Sequence, residues 1–308
     1  MQDIVHIGRD GWLFLVGGSN NVLDQYRRDA FPPAHFRAWR GLLEDRVRRA
    51  RRIGARYLHV VVPEKVAVCP EHAGLPVDPD LSPSLILRRW LHSSIAWGAL
   101  VDLVAPFRAD PDRDALYLRT DSHWSVPGCH RAYALICRRM GVVPRVGLVR
   151  ADPGGIWHAG DLGTKFHEPI GECVEAWTYA RTAERVHVNG YLQRILVERG
   201  AYGGGVGTRA VFRNDAPGLD PRRLVLCGDS FAHHAWLPHV GALTAMFAET
   251  FREVHFFWAT TVDWSYVAEL RPDFILTEIA ERFMVTLPPT DFGHAAFAEA
   301  MEAHHFGA

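Results

Sequence analysis

The stretch from Leu224 to Phe231 constrains the fold of this chain more than any other segment. Its first four residues, Leu224–Cys227, are apolar and run directly into Gly-Asp-Ser-Phe. A short apolar run that ends in a turn is typical of a buried β-strand. Open α/β sheets bind ligands beyond the carboxyl ends of such strands, so this turn would hold Ser230 at that edge. Gly-Asp-Ser alone is weak evidence, because aspartate and serine are common in turns and helix caps.

Most of the 308 residues alternate between helical and strand patterns. Apolar spacing and turn residues predict helices at about 33–53, 84–97, 127–140, 237–251, 262–270 and 295–305. This alternation favours a parallel sheet with helices on both faces. Residues 142–215 break the alternation, and we interpret them as an insertion or irregular lobe. We therefore predict a single domain, 1–308, of the α/β class. Glu64 and Lys65 follow a predicted strand at 57–62 and are interpreted as a surface turn, with the lining of a site as the alternative.

A second polar stretch, Thr120–Ser125, contains the pattern Asp-x-His. A serine hydroxyl needs a base within hydrogen-bond reach, and the base needs an orienting group. In extended backbone, residues i and i+2 face the same side, so Asp121 would hold one imidazole nitrogen of His123 while the other faces Ser230. Because the stretch follows the apolar Leu116–Leu118, we expect it at the same sheet edge as the serine. The alternative is a turn aspartate beside a structural histidine.

Asp121-Ser122-His123-Trp124-Ser125 and Gly228-Asp229-Ser230-Phe231 together resemble motifs of the alginate O-acetyltransferase family, whose catalytic domain is SGNH-hydrolase-like. Three further segments match in the same order, namely Gly8–Phe14, Gly160–Phe166 and Glu278–Arg282. The resemblance covers about residues 8–282. It implies an SGNH-hydrolase-like, three-layer α/β/α fold with a mainly parallel sheet.

The resemblance implies that Ser230 is the nucleophile, His123 the general base and Asp121 the residue that orients it. These residues would move an acetyl group to a hydroxyl of a polysaccharide or other glycan through an acyl-enzyme. Two alternatives remain: a carbohydrate O-acetyl esterase with the same residues, and a non-catalytic glycan-binding or assembly protein. The backbone N–H of Ser230 is the expected first oxyanion donor, and the asparagine of typical SGNH hydrolases has no equivalent near 258–262.

Four residues are candidates for substrate binding. Trp124 is expected to pack against the catalytic imidazole and shield it from water. Arg119 and Arg282 are candidates to bind the carboxylate of an anionic sugar, because guanidinium and carboxylate form bidentate pairs. A structural ion pair, for example between Glu278 and Arg282, is the alternative. His233 follows the serine turn and is interpreted as pocket-lining or structural.

Charge and cysteine usage limit the partners and cofactors. The net charge is −1, from 34 basic and 35 acidic residues, so no strong field favours nucleic acid or an anionic membrane. The five cysteines form no CxxC pair, and no HExxH motif occurs, so we expect no metal site and no cofactor.

No signal peptide or membrane-spanning stretch is recognised in the sequence. As written, the chain is expected to be cytoplasmic, whereas the resemblance implies the periplasm. The expected partners are a glycan acceptor and an acetyl donor. The resemblance implies that the donor is supplied by a membrane-bound acyl-donating protein.

Overall fold

A computed structural model describes residues 4–18 and 20–307. The predicted domain limits, 1 and 308, lie outside the described residues, as do the first three residues considered for an export signal. The strands are β1 (Val5–Ile7), β2 (Leu13–Leu15), β3 (Arg56–Val62), β4 (Leu100–Val101), β5 (Val149–His158), β6 (Glu172–Tyr179), β7 (Glu184–Val188), β8 (Arg209–Arg213), β9 (Asp220–Gly228), β10 (Phe251–Trp258) and β11 (Phe274–Ala280).

The helices surround this set of strands and vary in length from one turn to more than five. They are α1 (Pro33–Arg52), α2 (Lys65–Val68), α3 (Pro70–Ala73), α4 (Pro83–Leu91), α5 (Val104–Arg108), α6 (Val126–Met140), α7 (Gly160–Gly163), α8 (Gly190–Arg199), α9 (Leu243–Ala248), α10 (Trp264–Leu270) and α11 (His294–Phe306). No helix within the described ranges has both the length and the apolar character that a membrane crossing requires.

Seven strands form the central sheet, in the order β4–β3–β11–β9–β10–β8–β7. The strands from β4 to β10 are parallel to their neighbours, whereas β8 and β7 are added antiparallel at one edge. The predicted mainly parallel sheet is therefore confirmed. Strand β9 lies at the centre, between β11 and β10, which explains why its buried part, Leu224–Cys227, is a continuous apolar run.

Helices cover both faces of this sheet, which gives the predicted three-layer α/β/α arrangement. Successive side chains of a strand point to opposite faces. Leu224 and Leu226 of β9 accordingly join a hydrophobic cluster that includes residues of α6 and α9. Val225 and Cys227 join a second cluster, on the other face, with residues of α1 and α4.

Two predicted helices are shorter than expected. The helix expected at 237–251 is only α9, because proline at 238 opposes helix and Gly241 packs directly against the backbone and side chains of α6 and its cap. The helix expected at 84–97 ends with α4 at Leu91. The Ser94 hydroxyl accepts the Ala96 N–H just beyond it, and such local side-chain bonds compete with helix.

The segment 142–215, expected as an irregular insertion, contributes to two sheets. β5 and β6 pair with each other as a separate antiparallel sheet. β7 and β8 extend the central sheet beyond β10. The first pair has a direct consequence for the site, because β5 ends at His158 and α7 follows at Gly160.

Candidate active site

Ser230 lies directly beyond the carboxyl end of β9, at the edge that the sequence predicts. Strand β9 ends at Gly228, and Ser230 begins a short 3₁₀ helix, Ser230–Ala232. Asp229 caps this helix, because its Oδ1 accepts the N–H of Phe231 at 3.0 Å. Its Oδ2 accepts the N–H of Ala280 at 2.7 Å. The serine turn is thus tied to the end of the neighbouring strand β11.

His123 and Asp121 complete a chain of hydrogen bonds that starts at this serine. Nε2 of His123 lies 2.7 Å from Oγ of Ser230. Nδ1 of His123 lies 2.7 Å from Oδ1 of Asp121. With the Nδ1 proton donated to the carboxylate, Nε2 carries the free lone pair and faces the hydroxyl. This is the arrangement needed for nucleophilic activation of a serine.

The backbone that carries Asp121 and His123 differs from the expected strand exit. Residues 119–123 form a bend closed by an isolated antiparallel bridge between Tyr117 and Trp124, and a short 3₁₀ helix, Arg113–Leu116, precedes it in place of a strand of the central sheet. Oδ1 of Asp121 also accepts the backbone N–H of His123 at 2.9 Å. The expectation of extended backbone is therefore wrong. The two side chains meet because the aspartate closes a turn onto its own backbone two residues later.

The second oxygen of Asp121 is held by residues from the 142–215 segment. Oδ2 accepts from Nε2 of His158 at 3.0 Å and from the N–H of Asp161 at 3.1 Å. Gly160 makes this approach possible, since it has φ of 64° and a Cβ there would collide with the carbonyl of Thr120. His158 was missed by the sequence analysis, because no motif marks it.

Hydrogen bonding and burial shift the pKa values of Asp121 and His123 in opposite directions. Burial alone would raise the pKa of Asp121, but the hydrogen bonds from His123 and His158 hold it well below its ordinary value. Burial alone would lower the pKa of His123, but the bond to Asp121 and the nearby charges of Asp121 and Asp161 raise it. Asp121 therefore remains a carboxylate, and protonated His123 is stabilised beside it.

Arg282 is buried and forms an ion pair within the protein. The expectation that it binds an anionic sugar is therefore corrected. Its Nε lies 2.6 Å from Oε1 of Glu64, which is also buried. Nη1 and Nη2 donate to the hydroxyl and the carbonyl of Ser122, at 2.9 and 3.2 Å. Ser122 in turn donates its hydroxyl to Asp161 at 2.6 Å. A structural ion pair was the stated alternative, but its partner is Glu64 and not Glu278.

Glu64 and Lys65 are also placed differently from the surface turn expected of them, because both are buried. Nζ of Lys65 donates to the carbonyls of Leu118 and Arg119, each at 3.0 Å. Desolvation lowers the pKa of this ammonium to about 8. Lys65 therefore binds the loop that carries Asp121 directly, and Glu64 contacts it through Arg282.

Trp124 does not have the expected place against the imidazole ring. It has no exposed surface, and its Nε1 donates to the carbonyl of Gly241 at 2.8 Å. Phe231 lies between the two, with its ring 4.8 Å from that of His123 and 5.1 Å from that of Trp124. The expectation that Trp124 contacts the substrate is therefore corrected, because a fully buried ring cannot reach a ligand. Trp124 instead packs against Phe231.

The two remaining predicted substrate residues differ in exposure. His233 is nearly buried, and its Nδ1 accepts the N–H of Ala235 at 2.9 Å. Burial and the adjacent His234 lower its pKa to about 3, so the ring is neutral. Arg119 is exposed, and its carbonyl accepts from Lys65.

A pair of buried acids lies beneath the serine turn. Oε2 of Glu278 accepts the backbone N–H of Asp229 at 2.9 Å, and Oε1 has no partner among the described residues. Burial raises the pKa of Glu278 well above its ordinary value, and the neighbouring Asp229 charge adds to this. Glu278 therefore keeps its proton to a higher pH than an ordinary glutamic acid, because two adjacent carboxylates cannot both ionise cheaply in a buried site.

A cleft of about 430 Å³ opens beside Ser230. Its walls are mainly apolar, and include Val206, Trp258, Ile279, Phe283 and Leu287. Asn20 also lines it, and was missed by the sequence analysis because the search for an asparagine was confined to 258–262.

The carboxylate and imidazole groups near Ser230 are close enough together to be considered as ligands of a metal ion. One ligand atom each from Asp121, His123 and Asp161 lies within 4.8 Å of the others. Such a group could hold a cation only by breaking the hydrogen bond from His123 Nδ1 to Asp121, which the serine chain needs. These three side chains are therefore better suited to orienting His123 than to binding a metal ion.

Two sequence comparisons identify related proteins. Residues 5–151 match the family described as the SGNH hydrolase-like domain of acetyltransferase AlgX. The chain is 28% identical over 133 residues to a protein of Pseudomonas syringae pv. tomato named "Probable alginate O-acetylase AlgJ", a match of 42% of this chain and 31% of that protein. A protein of Pseudomonas aeruginosa with the same name is 29% identical over 137 residues, which are 44% and 32% of the two chains. The chain thus spans about a third of the length of these relatives.

Solved structures share the fold over nearly the whole chain. The O-acetyltransferase domain of Pseudomonas putida AlgJ superposes with a TM-score of 0.60 at 16% identity, covering 98% of this chain and all of that one. PatB1 of Bacillus cereus gives 0.58 at 16% identity, covering 92% and 97%. A DHHW family protein of Eubacterium siraeum gives 0.62 at 14% identity, covering 92% and 96%.

These comparisons confirm the predicted SGNH-hydrolase-like α/β fold. The family match ends at residue 151, so it includes Asp121 and His123, and Ser230 lies beyond it. Over residues 5–151, the chain is similar to the SGNH hydrolase-like domain of acetyltransferase AlgX, and the resemblance to the alginate O-acetyltransferase family that its motifs predict is confirmed.

Proposed function

We propose that this chain is an O-acyltransferase that moves an acetyl group onto a hydroxyl of a polysaccharide, through an acyl-enzyme on Ser230. The observation that carries the proposal is the hydrogen-bonded chain from Ser230 through His123 to Asp121. The similarity to proteins named as acetyltransferases and alginate O-acetylases supports the choice of reaction.

In the first step, Oγ of Ser230 attacks the carbonyl carbon of a donor ester. The hydroxyl proton moves to Nε2 of His123, and the carbonyl π electrons move onto the oxygen. The tetrahedral intermediate then collapses, the bond to the donor's alcohol oxygen breaks, and His123 returns the proton to that oxygen. Asp121 remains ionised throughout and stabilises the imidazolium that forms.

In the second step, an acceptor hydroxyl takes the place of the donor's alcohol. It gives its proton to Nε2 of His123 and attacks the acyl carbon. The bond to Ser230 Oγ then breaks, and the serine recovers the proton. A sugar hydroxyl yields an acetylated glycan, whereas water would yield free acetate by the same route.

Both intermediates carry a negative oxygen that needs hydrogen-bond donors. Ser230 is the first residue of its 3₁₀ helix, and the N–H groups of a first turn have no partner within the helix. The side-chain amide of Asn20, in the same cleft, is the polar donor that we assign to the second position. The relatives named as alginate O-acetylases support a polysaccharide of the alginate type as the acceptor. A membrane-bound acyl-donating protein as the source of the acetyl group is part of the proposal and rests on the family resemblance alone.

The test follows the fate of an acetyl group. The purified chain and Ser230→Ala would each receive a small acetyl ester, with and without a panel of oligosaccharides that includes oligomannuronate. Free acetate and acetylated sugar would be quantified by mass spectrometry. Acetylated sugar that depends on Ser230 is the expected result.

Two other outcomes would count against the proposal. Acetate that depends on Ser230 but is unchanged by every sugar would favour the esterase. No difference between the two proteins at either product would favour the non-catalytic alternative. Thermal unfolding of both proteins would establish that the substitution leaves the fold intact, because the hydroxyl lies at a turn and its loss removes no apolar packing.

A further inference from the structure

The cleft beside Ser230 is larger and more apolar than an acetyl group requires. Its volume of about 430 Å³ is within the range of roughly 300–1,000 Å³ that holds entire small molecules. An acetyl group adds one methyl group to the reacting carbonyl. Most of the cleft would therefore be unused by the acyl group transferred in the proposed function.

Three apolar side chains in the cleft wall are exposed to solvent. Val206 is 47% exposed, Phe283 37% and Leu287 36%. Exposed clusters of large apolar residues are found in ligand-binding grooves, as well as at protein and membrane interaction sites. Trp258 and Ile279, which are less exposed, belong to the same apolar wall.

The cleft offers few polar side chains to a sugar, namely those of Asn20, Thr260 and Thr286 beside Asp229 and Ser230, among mainly apolar walls. The two carboxylate oxygens of Asp229 already accept the N–H groups of Phe231 and Ala280. A sugar ring would bury several hydroxyls against the apolar wall, and unpaired buried hydroxyls are costly. His123 is also absent from the described residues that line the cleft, although an acceptor hydroxyl must reach its Nε2. An acceptor on the His123 side of Ser230 would reach Nε2 directly and would leave the cleft to the acyl chain.

We propose that this cleft binds the alkyl chain of an acyl group longer than acetyl, so that Ser230 accepts straight-chain acyl groups of about four to eight carbons. The inference rests on the proposed function and extends its donor class. The chemistry is unchanged: the acyl carbon bonds to Ser230 Oγ, the donor's alcohol leaves with the proton from His123, and the alkyl chain lies against Phe283 and Leu287.

The test is a chain-length series of p-nitrophenyl esters with the purified chain, from acetate through butyrate and hexanoate to octanoate. Each methylene that is buried raises kcat/KM by up to about fourfold, so hexanoate should exceed acetate by roughly ten- to a hundredfold. Ser230→Ala measures the background for each ester. A flat or falling series with Ser230-dependent turnover of acetate would overturn the inference and leave the proposed function in place. No Ser230 dependence at any length would instead reject the proposed function.

A matched pair of variants tests whether the cleft causes the preference for longer acyl chains. Leu287→Asn places a polar group in the wall, and should reduce the ratio of hexanoate to acetate turnover at least severalfold. Val197→Asn makes the same kind of change on α8 at a residue that is 81% exposed and outside the cleft, and should leave the ratio unchanged. Equal ratios in the two variants would show that the cleft does not hold the chain. Thermal unfolding of both variants controls for folding.

Discussion

Nε2 of His158 lies 3.0 Å from Oδ2 of Asp121, the carboxylate oxygen that His123 does not use. Asp121 is therefore fixed on both sides, by one histidine that faces the serine and by another that does not. Its orientation is set by four hydrogen bonds in total, two to each oxygen. The carboxylate cannot rotate away from His123 without breaking its hydrogen bonds to His158 and to the backbone N–H of Asp161.

We expect Ser230→Ala and His123→Ala each to lower kcat by about 10³- to 10⁶-fold in the ester assay, because each removes one half of the activated nucleophile. The double variant should be no slower than the slower single variant, since the two residues act as one unit. The measurement is kcat for the three proteins on one ester. Losses that multiply in the double variant would contradict a shared role.

Asp161→Asn should move the acidic limb of the pH–rate profile to lower pH. The Asp161 charge raises the pKa of His123, and only neutral His123 can accept the serine proton. Removing the charge lowers that pKa, so the active form persists at more acidic pH. The check is kcat/KM from pH 5 to 9, with Asp291→Asn, at a side chain 93% exposed, as the matched control. An unchanged limb, or one shifted to higher pH, would contradict the assignment of His123 as the base.

Glu278→Gln should gain stability relative to the natural chain as the pH rises. Burial raises the folded-state pKa of Glu278, so the folded state retains a proton that the unfolded state loses above about 4.3. This stability is lost as the pH rises through the folded-state pKa, whereas glutamine does not titrate. The measurement is the midpoint of urea unfolding at pH 5 and pH 8.

Glu278→Ala supplies the contrast, because it leaves the N–H of Asp229 without its acceptor. It should be about 1–3 kcal/mol less stable than Glu278→Gln at both pH values, because neither replacement titrates. If glutamine and alanine were equally destabilising at pH 8, Glu278 would have to act as a carboxylate and not as a neutral acid.

Arg282→Ala should lower the free energy of unfolding by about 3–5 kcal/mol, because it leaves Glu64 as a buried charge without its partner. Arg119→Ala, at an exposed side chain, should change it by about 0.5 kcal/mol or less. The measurement is chemical unfolding of both variants. An Arg282→Ala protein of normal stability with a raised KM for an anionic acceptor would restore the sugar-binding role that the structure argues against.

Asn20→Ala should lower kcat by about 10²- to 10³-fold with little change in KM, as expected for a donor that acts on the oxyanion alone. Asn20→Asp has nearly the same shape but places a negative charge near the oxyanion, and should be at least as slow. Steady-state kinetics on an acetyl ester measures both. An alanine variant with full kcat would exclude this residue from the oxyanion site.

The central strand and its serine turn follow from local sequence. Leu224–Cys227 is apolar on both faces, and only a strand in the middle of a covered sheet buries both faces. The pairing of Asp121 with His123 has a local component, because aspartate favours a turn in which it accepts the backbone N–H two residues along. These features are readable because each depends on neighbours within a few residues.

Only the tertiary structure decided which charged residues are buried and what they contact. Arg282 and Glu64 are 218 residues apart, and His158 reaches Asp121 across 37. The sequence pattern does not identify such distant partners, because the pattern around Arg282 is equally compatible with a surface site and with a buried ion pair. The Asp-x-His pair and the Gly-Asp-Ser turn were therefore determined by the chain itself. Other residues fix the relative positions of these two motifs, and an apolar cleft lies beside them. Both depend on distant segments that pack together and exclude water.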